Sequence, residues 1–470
     1  MRRIGLAVGR WIGLRFELED SVGAVLSHPV PAALEGPVGW WYVFGSATLA
    51  IFIVQVATGV GLAMTYVPAP NSAYESLQFI SNVAAFGHIL RGIHYFGAGA
   101  MVVLVLVHMT QVFLFGSYKF PREANWMSGS LLLLATLAMA FTGQLLRWDQ
   151  DAFWSIVVAA EQAARTPVIG GFLASLVVAG QNVGGATLTR FYATHVFLIP
   201  AAIFGLLGVH LYLVVKRGIS EPPVAGEPVQ PRTYLARYRE LLAHGMPFYP
   251  DAAVRDAVVS LVAVVVVIIL AVVAGAPMLG KPPDPTIIVA DPRPDWYFLG
   301  YFALLAIIPN GLESVVIIGL PALAFAFLFL LPLARPRGER HVARRPMAVA
   351  AVGLGVIVYG ALTLAGIASP WVPVSTANAV FPPAVTAGLS AQEASGARLF
   401  IGKDCFACHQ IGGAGGRRGP DLSGVGARLS SDELVTTILN GKGQAMPSFA
   451  GAFSPDALAD LVSFLQSRRQ

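Results

Sequence analysis

Long apolar runs alternate with short polar segments along residues 31–368 of the chain. Seven runs are long enough to cross a bilayer, which takes about 20 apolar residues in a helix. They are Trp40–Met64, Ile93–Phe115, Met127–Leu146, Phe191–Val215, Val254–Ala274, Leu312–Leu333 and Met347–Ile367. The stretch Phe153–Val178 is interrupted by polar residues and predicts short surface helices, and Tyr297–Ile308 is too short to cross. The pattern therefore predicts an all-α fold built on seven transmembrane helices.

The same pattern divides the chain into five parts. Basic residues mixed with aromatic ones at the N-terminus predict an amphipathic surface helix, since no small-residue cleavage site follows an apolar core. Four spans and then three spans follow, and a segment rich in Pro, Ser, Thr and Val predicts a linker before a small soluble helical domain. The predicted parts are 1–30, 31–220, 221–368, 369–389 and 390–470.

Composition and charge support a membrane protein with a defined orientation. Charged residues make up 12% of the chain, against about 25% in a typical soluble domain. Lys and Arg concentrate in the loops after spans two, four and six, whereas the loop Val67–Phe86 after span one has none. The modest net charge of +5 therefore indicates topology and not nucleic-acid binding. We expect a multi-pass protein of a bacterial cell membrane, with a cytoplasmic N-terminus and the C-terminal domain on the outer side.

Four histidines form two matched pairs inside predicted spans. His94 and His108 lie 14 residues apart on span two, and His195 and His210 lie 15 apart on span four. On a regular helix, the two histidines of each span are then offset around the axis by about −40° or +60°, and they are separated along it by about 21–22 Å. Two such helices can hold two bis-histidine haems, one above the other. Four separate histidines bonded to the backbone are the alternative, which we disfavour because ionisable groups in a membrane are costly and usually functional.

Glycines repeat with the same period on the neighbouring spans. Gly45 and Gly59 on span one are 14 apart, as are Gly129 and Gly143 on span three. Glycine lets a flat ligand approach a helix closely, although close helix packing also uses glycine in membranes. The match with the histidine period favours clearance for haem edges.

The C-terminal domain carries the attachment signature of a covalent haem c, Cys405-Phe-Ala-Cys408-His409. These two cysteines are the only ones in the chain, so no disulfide framework exists elsewhere and no iron–sulfur cluster can be held by cysteine. Met446, 37 residues after His409, is the expected sixth ligand, and His/Met ligation raises the reduction potential. Core packing is the alternative role for Met446. Amphipathic helices should frame this domain at Gln392–Ile401 and Pro455–Gln466.

Several motifs carry a family resemblance. The segments Leu90–Tyr95, Thr142–Gln150, Leu188–His195 and Pro294–Tyr297 resemble cytochrome b of Rieske–cytochrome b complexes, in its chloroplast-type form. Residues 249–374 resemble the small separate subunit that completes cytochrome b in that form. The resemblance covers about residues 10–370, and Gly419–Leu422 is similar to a loop of class I cytochromes c that supports the haem histidine.

The resemblance implies two non-covalent haem b groups beside the one haem c. His94 and His195 would hold the low-potential haem on the outer side, and His108 and His210 the high-potential haem near the cytoplasm. The chloroplast-type family attaches an additional haem through a cysteine on the first span. Val43 occupies that position here, so this covalent attachment is impossible.

Two basic residues are candidate partners for haem propionates. Arg91 precedes His94 by one turn, and a lipid headgroup is the alternative partner for its guanidinium. Lys119, or Arg122 beside it, could serve the inner haem in the same way.

The tetrapeptide Pro294-Asp295-Trp296-Tyr297 resembles the family's quinol-site signature. The family usually has Glu where this chain has Asp295, and the Asp form resembles versions that work with menaquinol. A buried carboxylate can accept a quinol proton, and Tyr297 can donate a hydrogen bond nearby. Asp295 could instead only cap the helix that follows. Pro294 and Trp296 are candidate quinol contacts, and Lys216 could serve an inner quinone site, although a positive-inside anchor is its favoured role.

The expected function is that of a cytochrome b/c fusion subunit in a quinol–cytochrome c oxidoreductase coupled to proton translocation. Expected partners are a separate Rieske iron–sulfur protein, a quinol, and a downstream cytochrome c, copper protein or terminal oxidase, in a homodimeric multi-subunit complex. The alternative is a membrane electron-relay anchor of an external dehydrogenase without bifurcated quinol oxidation. A transporter would leave the haem ligands unexplained. The unmatched histidines are expected to be ordinary residues: His28, His88, His244 and His341.

Overall fold

The computed structural model describes most of the membrane part and most of the small domain. The described residues are 27–180, 183–284, 293–308, 310–368, 380–403, 405–415, 419–442, 446 and 448–469. Most of the predicted N-terminal surface helix and residues 369–379 of the predicted linker lie outside them.

Seven helices among the described residues are long and apolar enough to cross a membrane. Most of the side chains on these helices are not buried within the protein, as expected for surfaces that face lipid. The predicted all-α bundle of seven spans is confirmed, and the chain is an integral membrane protein. The spans are Pro37–Ala63, Gly87–Leu114, Glu123–Leu145, Gly185–Arg217, Asp251–Val273, Val315–Ala334 and Pro346–Ala368. Regular α-helix begins at Phe44 in the first span and at Asn310 in the sixth.

The fourth span differs from the single regular helix that the sequence predicts. It consists of an α-helix Gly185–Ala193, a π-helical turn Thr194–Leu198 and a second α-helix Ile199–Arg217. Pro200 lies in the first turn of that second helix, where its missing N–H removes one α-helical hydrogen bond. A π turn accommodates about one extra residue. It therefore compensates for the 15-residue spacing of His195 and His210, which exceeds the spacing on span two by one.

The spans pack as two groups that meet where the second span contacts the third. The first span packs against the second and fifth, and the third packs against the fourth and sixth. At Gly92, a Cβ atom would lie 3.0 Å from the Cβ of Ala271 and 3.2 Å from its carbonyl oxygen. Glycine thus allows spans two and five to approach closely. The short helix Trp296–Ile307 packs against the seventh span, where Gly300 meets Tyr359.

Short surface helices connect the spans at the end of the bundle that contains His94. They are Ala73–Asn82, Gln150–Ala164 and Gly170–Val178, so short helices follow span three as predicted. Asp149, which is fully buried, caps the second of these by accepting from the N–H of Ala152 at 3.0 Å. Its other carboxylate oxygen accepts from Arg147 at 2.5 Å and from the N–H of Gly280 at 3.0 Å. Asp149 therefore joins the loops after spans three and five.

Buried ionic contacts join the loops at the opposite end. The Arg340 guanidinium donates to Glu221 Oε1 at 2.8 Å, and both residues are nearly inaccessible to solvent. Tyr234 donates to Glu221 Oε2 at 2.8 Å and accepts from Arg122 at 2.7 Å. Because removing one partner of a buried ion pair costs about 3–5 kcal/mol, these residues hold the loops after spans two, four and six together. Some of the basic residues that indicate topology are thus also structural.

Smaller elements complete the membrane part. The strand Pro29–Val30 pairs antiparallel with Met246–Pro247, next to the helix Pro231–Ala243. The 3-10 turns are Ala32–Glu35, Pro37–Trp41 and Val342–Arg344.

The C-terminal domain is a small helical unit with an aromatic core. Its helices are Pro383–Thr386, Ala391–Gly402, Cys405–Cys408, Ser431–Asn440 and Pro455–Gln466, with a hairpin of Gln410–Ile411 and Ala414–Gly415 and a 3-10 turn Val425–Ala427. Both predicted framing helices are present. Phe400 and Phe464 pack on Phe381 and Phe406 in the core.

The packed core extends N-terminal to residue 390. Phe381 and Val385, inside the segment predicted as a linker, are 3% and 6% exposed and belong to the same hydrophobic cluster. Only a single helical turn, Pro383–Thr386, lies in this segment, which is too short to produce a helical period in the sequence. Residues 380–389, the part of the predicted linker that the structure describes, therefore belong to the C-terminal domain.

Candidate haem and quinol sites

His94 and His195 face each other between the second and fourth spans. Their ring centroids are 6.3 Å apart, with the ring planes at 80°. A metal bonded to one nitrogen of each ring, at about 2 Å from each, would separate the centroids by about 6 Å. The spacing of the two rings therefore suits bis-histidine ligation of one iron. Nδ1 of His94 lies 3.0 Å from Thr58 Oγ1, and Nδ1 of His195 lies 3.1 Å from Thr142 Oγ1.

His108 and His210 lie on the same two spans toward the opposite end of the bundle. Nδ1 of His210 is 2.9 Å from Ser128 Oγ. Nδ1 of His108 is buried and has no hydrogen-bond partner among the described residues. The two histidine pairs are thus alike in position but differ in what supports their rings.

Each of the four glycines predicted from the period lies against the ring of one histidine. A Cβ atom built on these glycines would lie within 3.4 Å of the Cε1 atom of that ring. The distances are 3.3 Å for Gly45 to His108, 3.3 Å for Gly59 to His94, 3.4 Å for Gly129 to His210 and 2.6 Å for Gly143 to His195. The contact shown is with the histidine rings, so the glycines allow the Cε1 corner of each ring to approach a neighbouring span closely. Clearance for a haem edge stays a prediction.

The C-terminal domain brings three of its four predicted haem c residues, all except Cys408, to one apolar cavity. Cys405, His409 and Met446 line it together with apolar side chains that include Leu422 and Phe449. This set of a thiol, an imidazole and a thioether around an apolar cavity fits a covalently attached haem with His/Met ligation.

The loop after the attachment motif holds the ring of His409. Nδ1 of His409 lies 2.9 Å from the carbonyl oxygen of Pro420, which leaves Nε2 as the available ligand atom. A Cβ atom on Gly419 would come within 2.5 Å of Cε1 of His409. Only glycine fits at this position, as the resemblance to the class I loop implies.

The Asp295 carboxylate bonds to a tyrosine hydroxyl and does not cap the helix that follows it. Asp295 occupies the N-cap position of Trp296–Ile307, but its side chain accepts no hydrogen bond from the backbone N–H groups of the helix. Instead, Oδ2 accepts from the Tyr297 hydroxyl at 2.6 Å. Burial raises the pKa of Asp295 above its ordinary value, although the Tyr297 hydrogen bond and the charge of Arg147 partly offset this effect.

Neighbouring residues fix this loop next to the second span. The Tyr359 hydroxyl donates to the backbone carbonyl of Tyr297. The Trp296 ring nitrogen lies 3.6 Å from the Cβ position of Gly99, which is five residues beyond His94. Pro294 is half-buried beside them. Asp295 and the pair of His94 and His195 therefore share one end of the bundle.

The remaining candidate residues have protein partners or lie exposed. Arg91 donates to Ser81 Oγ at 3.1 Å and to the carbonyl of Pro277 at 2.6 Å. Lys119 is buried, and its ammonium donates to the carbonyls of Arg335 and Arg337 at 3.0 and 2.6 Å. Lys216 is exposed at the end of the fourth span. The contacts of Arg91 and Lys119 anchor loops, and their roles toward propionates, like that of Lys216 toward quinone, stay predictions.

Burial, together with the positive charges of the nearby Arg345 and Arg335, lowers the pKa of Lys119 to about 8. Arg122, considered together with Lys119, stacks on Tyr238 and donates to the carbonyl of Gly218. Arg122 therefore belongs to the buried loop contacts and not to a free surface.

The sequence analysis missed three hydroxyl residues that contact the histidines. Thr58, Ser128 and Thr142 each come directly before one of the periodic glycines. Thr-Gly or Ser-Gly dipeptides at three of the four periodic glycines could have indicated these contacts in the sequence.

Three family models match successive parts of the chain. "Cytochrome b/b6/petB" matches residues 27–218, "Cytochrome b(C-terminal)/b6/petD" matches 282–382, and "Cytochrome C oxidase, cbb3-type, subunit III" matches 391–465.

Individual proteins are similar to the membrane part. The menaquinol:cytochrome c reductase cytochrome b subunit of Bacillus subtilis (strain 168) is 38% identical over 45% of this chain and 96% of its own length. Cytochrome b6 of Heliobacterium mobile is 39% identical over 42% of this chain and 92% of its own length. A chain of a solved structure described as "Hyperthermophilic respiratory Complex III" is 27% identical, with a TM-score of 0.64 over 77% of this chain and 91% of that one.

Proposed function

Since the chain belongs to the cytochrome b/b6 family, we propose that it is the cytochrome b subunit of a menaquinol–cytochrome c reductase, an oxidoreductase. Both parts of cytochrome b and a cytochrome c domain lie in this one chain. The fusion would keep the haem c acceptor beside the subunit that oxidises quinol.

The haem ligands follow from the paired histidines. His94 with His195, and His108 with His210, would each hold one haem b, and Cys405, Cys408, His409 and Met446 would hold haem c. Bound haems would supply one-electron carriers at two depths in the membrane and one in the soluble domain. The protein's part is to orient the ring nitrogens and to keep both b sites apolar.

Quinol oxidation would take place beside Asp295, and the hydrogen bond between Asp295 and Tyr297 is the observation that carries this proposal. Oxidation of a quinol to a quinone releases two protons and two electrons. The carboxylate would accept a proton from a quinol hydroxyl, and its raised pKa brings it closer to working pH. Tyr297 orients the carboxylate, while Pro294 and Trp296 would contact the quinol ring.

The two electrons would take different routes. One would pass to a separate Rieske iron–sulfur protein and from there to the C-terminal domain, which then reduces a cytochrome c, copper protein or terminal oxidase. The other would cross the membrane to a quinone at the end that contains His108, where Lys216 is a candidate contact. Proton release on one side and uptake on the other would translocate protons.

The orientation follows from the basic loops. We place the end that contains Asp295 and the C-terminal domain outside, and the loops after spans two, four and six in the cytoplasm of a bacterial cell. Family members of this kind are expected to assemble as homodimeric multi-subunit complexes.

A relay anchor for an external dehydrogenase is the competing function. Such an anchor needs the haem ligands but no proton acceptor at the outer end. The half-buried Asp295, bonded to a tyrosine and free of any capping bond, therefore favours quinol oxidation.

Haem stoichiometry tests the cofactor part of the proposal. The pyridine haemochrome spectrum of the purified chain should give haem b to haem c near two to one, because there are two histidine pairs and one attachment motif. The haem c should remain bound to the polypeptide after acid–acetone extraction, and both b haems should be removed. A ratio near one to one, or a second covalent haem, would contradict the assignment.

A further inference from the structure

Hydroxyl groups define the hydrogen-bonding state of three of the four membrane histidines. The hydroxyls of Thr58, Thr142 and Ser128 lie 3.0, 3.1 and 2.9 Å from the Nδ1 atoms of their histidines. Each hydroxyl also donates its own proton to a backbone carbonyl, at 2.7, 2.8 and 2.9 Å respectively. Since a hydroxyl has only one proton to donate, its oxygen must accept from Nδ1–H. With the hydroxyl protons placed in this way, the three rings are assigned as Nδ1–H tautomers, which leaves Nε2 available to a metal.

His108 lacks this support. Its buried Nδ1 has no partner among the described residues. In the other three cases the hydroxyl residue directly precedes the glycine under the ring, but Phe44 precedes Gly45. The nearest hydroxyl on the other side of Gly45, that of Ser46, donates to Asp256 Oδ2 at 2.7 Å. The pair of His94 and His195 therefore has two supporting hydroxyls, and the pair of His108 and His210 has one.

This difference has a direct electronic consequence for bound iron. An imidazole that donates its second N–H to an acceptor becomes a more basic ligand. A more basic axial ligand stabilises the oxidised iron and lowers its reduction potential, and hydrogen bonding around the ligands is one of the means by which a protein adjusts a haem.

We propose that Thr58 and Thr142 are positioning residues that lower the potential of the haem held by His94 and His195, and that the missing acceptor at His108 keeps the other haem higher. The inference rests on the proposed haem binding. It gives a physical reason for an electron to move from the end that contains Asp295 toward the end that contains His108. The difference in reduction potential between the two b haems would arise because three of the four histidines have a hydroxyl acceptor and His108 does not.

A purely structural role for these hydroxyls is the competing explanation. Thr and Ser in helices often bond to the carbonyl one turn earlier without any further role. Thr136 does this: it lies on the third span between Gly129 and Gly143, is buried, and donates to the carbonyl of Leu132 at 2.8 Å. Thr136→Val therefore removes the same kind of bond from the same helix without touching a histidine.

The test is an equilibrium redox titration of the b haems in the purified complex, followed optically. Thr58→Val and Thr142→Val, singly and together, should raise the reduction equilibrium constant of the lower-potential haem by about tenfold, or about 59 mV for one electron. Thr142→Ser keeps the hydroxyl acceptor, so the lower-potential haem should keep its wild-type reduction potential. Ser128→Ala should raise the potential of the other haem instead, and Thr136→Val should move neither.

The haem content of each variant shows whether a failure concerns the proposed function or only the inference about the hydroxyls. Wild-type protein without two b haems would refute the proposed function itself. Two retained b haems with unmoved potentials in the Thr58, Thr142 and Ser128 variants, or an equal shift in Thr136→Val, would overturn this inference alone. Ser128 contacts the other histidine pair. The potential measured in Ser128→Ala therefore still tests the inference if a valine variant loses its haem.

Discussion

His94→Leu is expected to remove one b haem and to abolish quinol–cytochrome c turnover. Leucine has a similar volume and suits a membrane helix, so the second span should still form. His195 would then face no second ligand across the 6.3 Å gap between the rings. The haemochrome ratio of b to c should fall from two to one toward one to one. Turnover should fall by more than about 100-fold, since even the loss of partners outside the ligand shell costs about 10–100-fold.

The other b haem should survive in this variant. His108 and His210 lie about 21 Å away along the spans and have their own glycine contacts. His88→Leu is the matched control, because His88 lies on the same helix but is exposed. It should keep both b haems and full turnover. Retention of two b haems in His94→Leu would refute the ligand assignment.

Asp295→Asn should slow quinol oxidation by about 10²-fold, the usual loss when a general base is removed. Asparagine has nearly the same shape and caps helices as well as aspartate does. It can also accept the Tyr297 hydrogen bond, but it cannot take a proton. The substitution therefore separates proton transfer from helix capping. Steady-state quinol–cytochrome c activity is the measurement, with both b haems retained.

The pH dependence of quinol oxidation is a second test of the Asp295→Asn substitution. Burial raises the pKa of Asp295, and only the deprotonated carboxylate can accept a proton. Wild-type activity should thus decline as pH falls through a pKa above the ordinary value of about 3.9. Asp295→Asn should lose this acidic limb, whereas Asp295→Glu, which keeps a carboxylate, should retain it. Unchanged turnover and an unchanged profile in Asp295→Asn would leave Asp295 with only its structural bond to Tyr297.

Much of the architecture is predictable because lipid imposes strong constraints. A span must be long and apolar, so the number and order of the seven spans follow from hydropathy. The pairing of His94 with His195 was likewise expected, since the family resemblance implies it and the topology places both residues on the same side. The attachment motif at Cys405 fixes the position of a haem c domain by its chemistry alone.

The remaining features depend on tertiary contacts that a periodic pattern does not encode. The π turn at Thr194–Leu198 depends on how the fourth span packs, and a regular helix with a proline near its middle was the simpler expectation. Phe381 and Val385 pack into the domain core from a segment whose sequence has no regular period. Lys119 resembles a surface cation in the sequence, yet it is buried against the carbonyls of another loop.

The supporting hydroxyls were missed for a different reason. Thr58, Ser128 and Thr142 are small polar residues on apolar helices, and such residues commonly bond only to their own helix. Their contact with a histidine requires a specific rotation of two neighbouring spans. That rotation is visible only once the helices are packed.

The most direct test of the account is stopped-flow reduction by quinol of complex depleted of its Rieske protein. If this chain performs bifurcated quinol oxidation, the first electron has no acceptor in the depleted complex, and haem c should stay oxidised. Adding the Rieske protein back should restore haem c reduction at the wild-type rate. Rapid reduction of haem c in the depleted complex would contradict bifurcation and would support a simple electron relay.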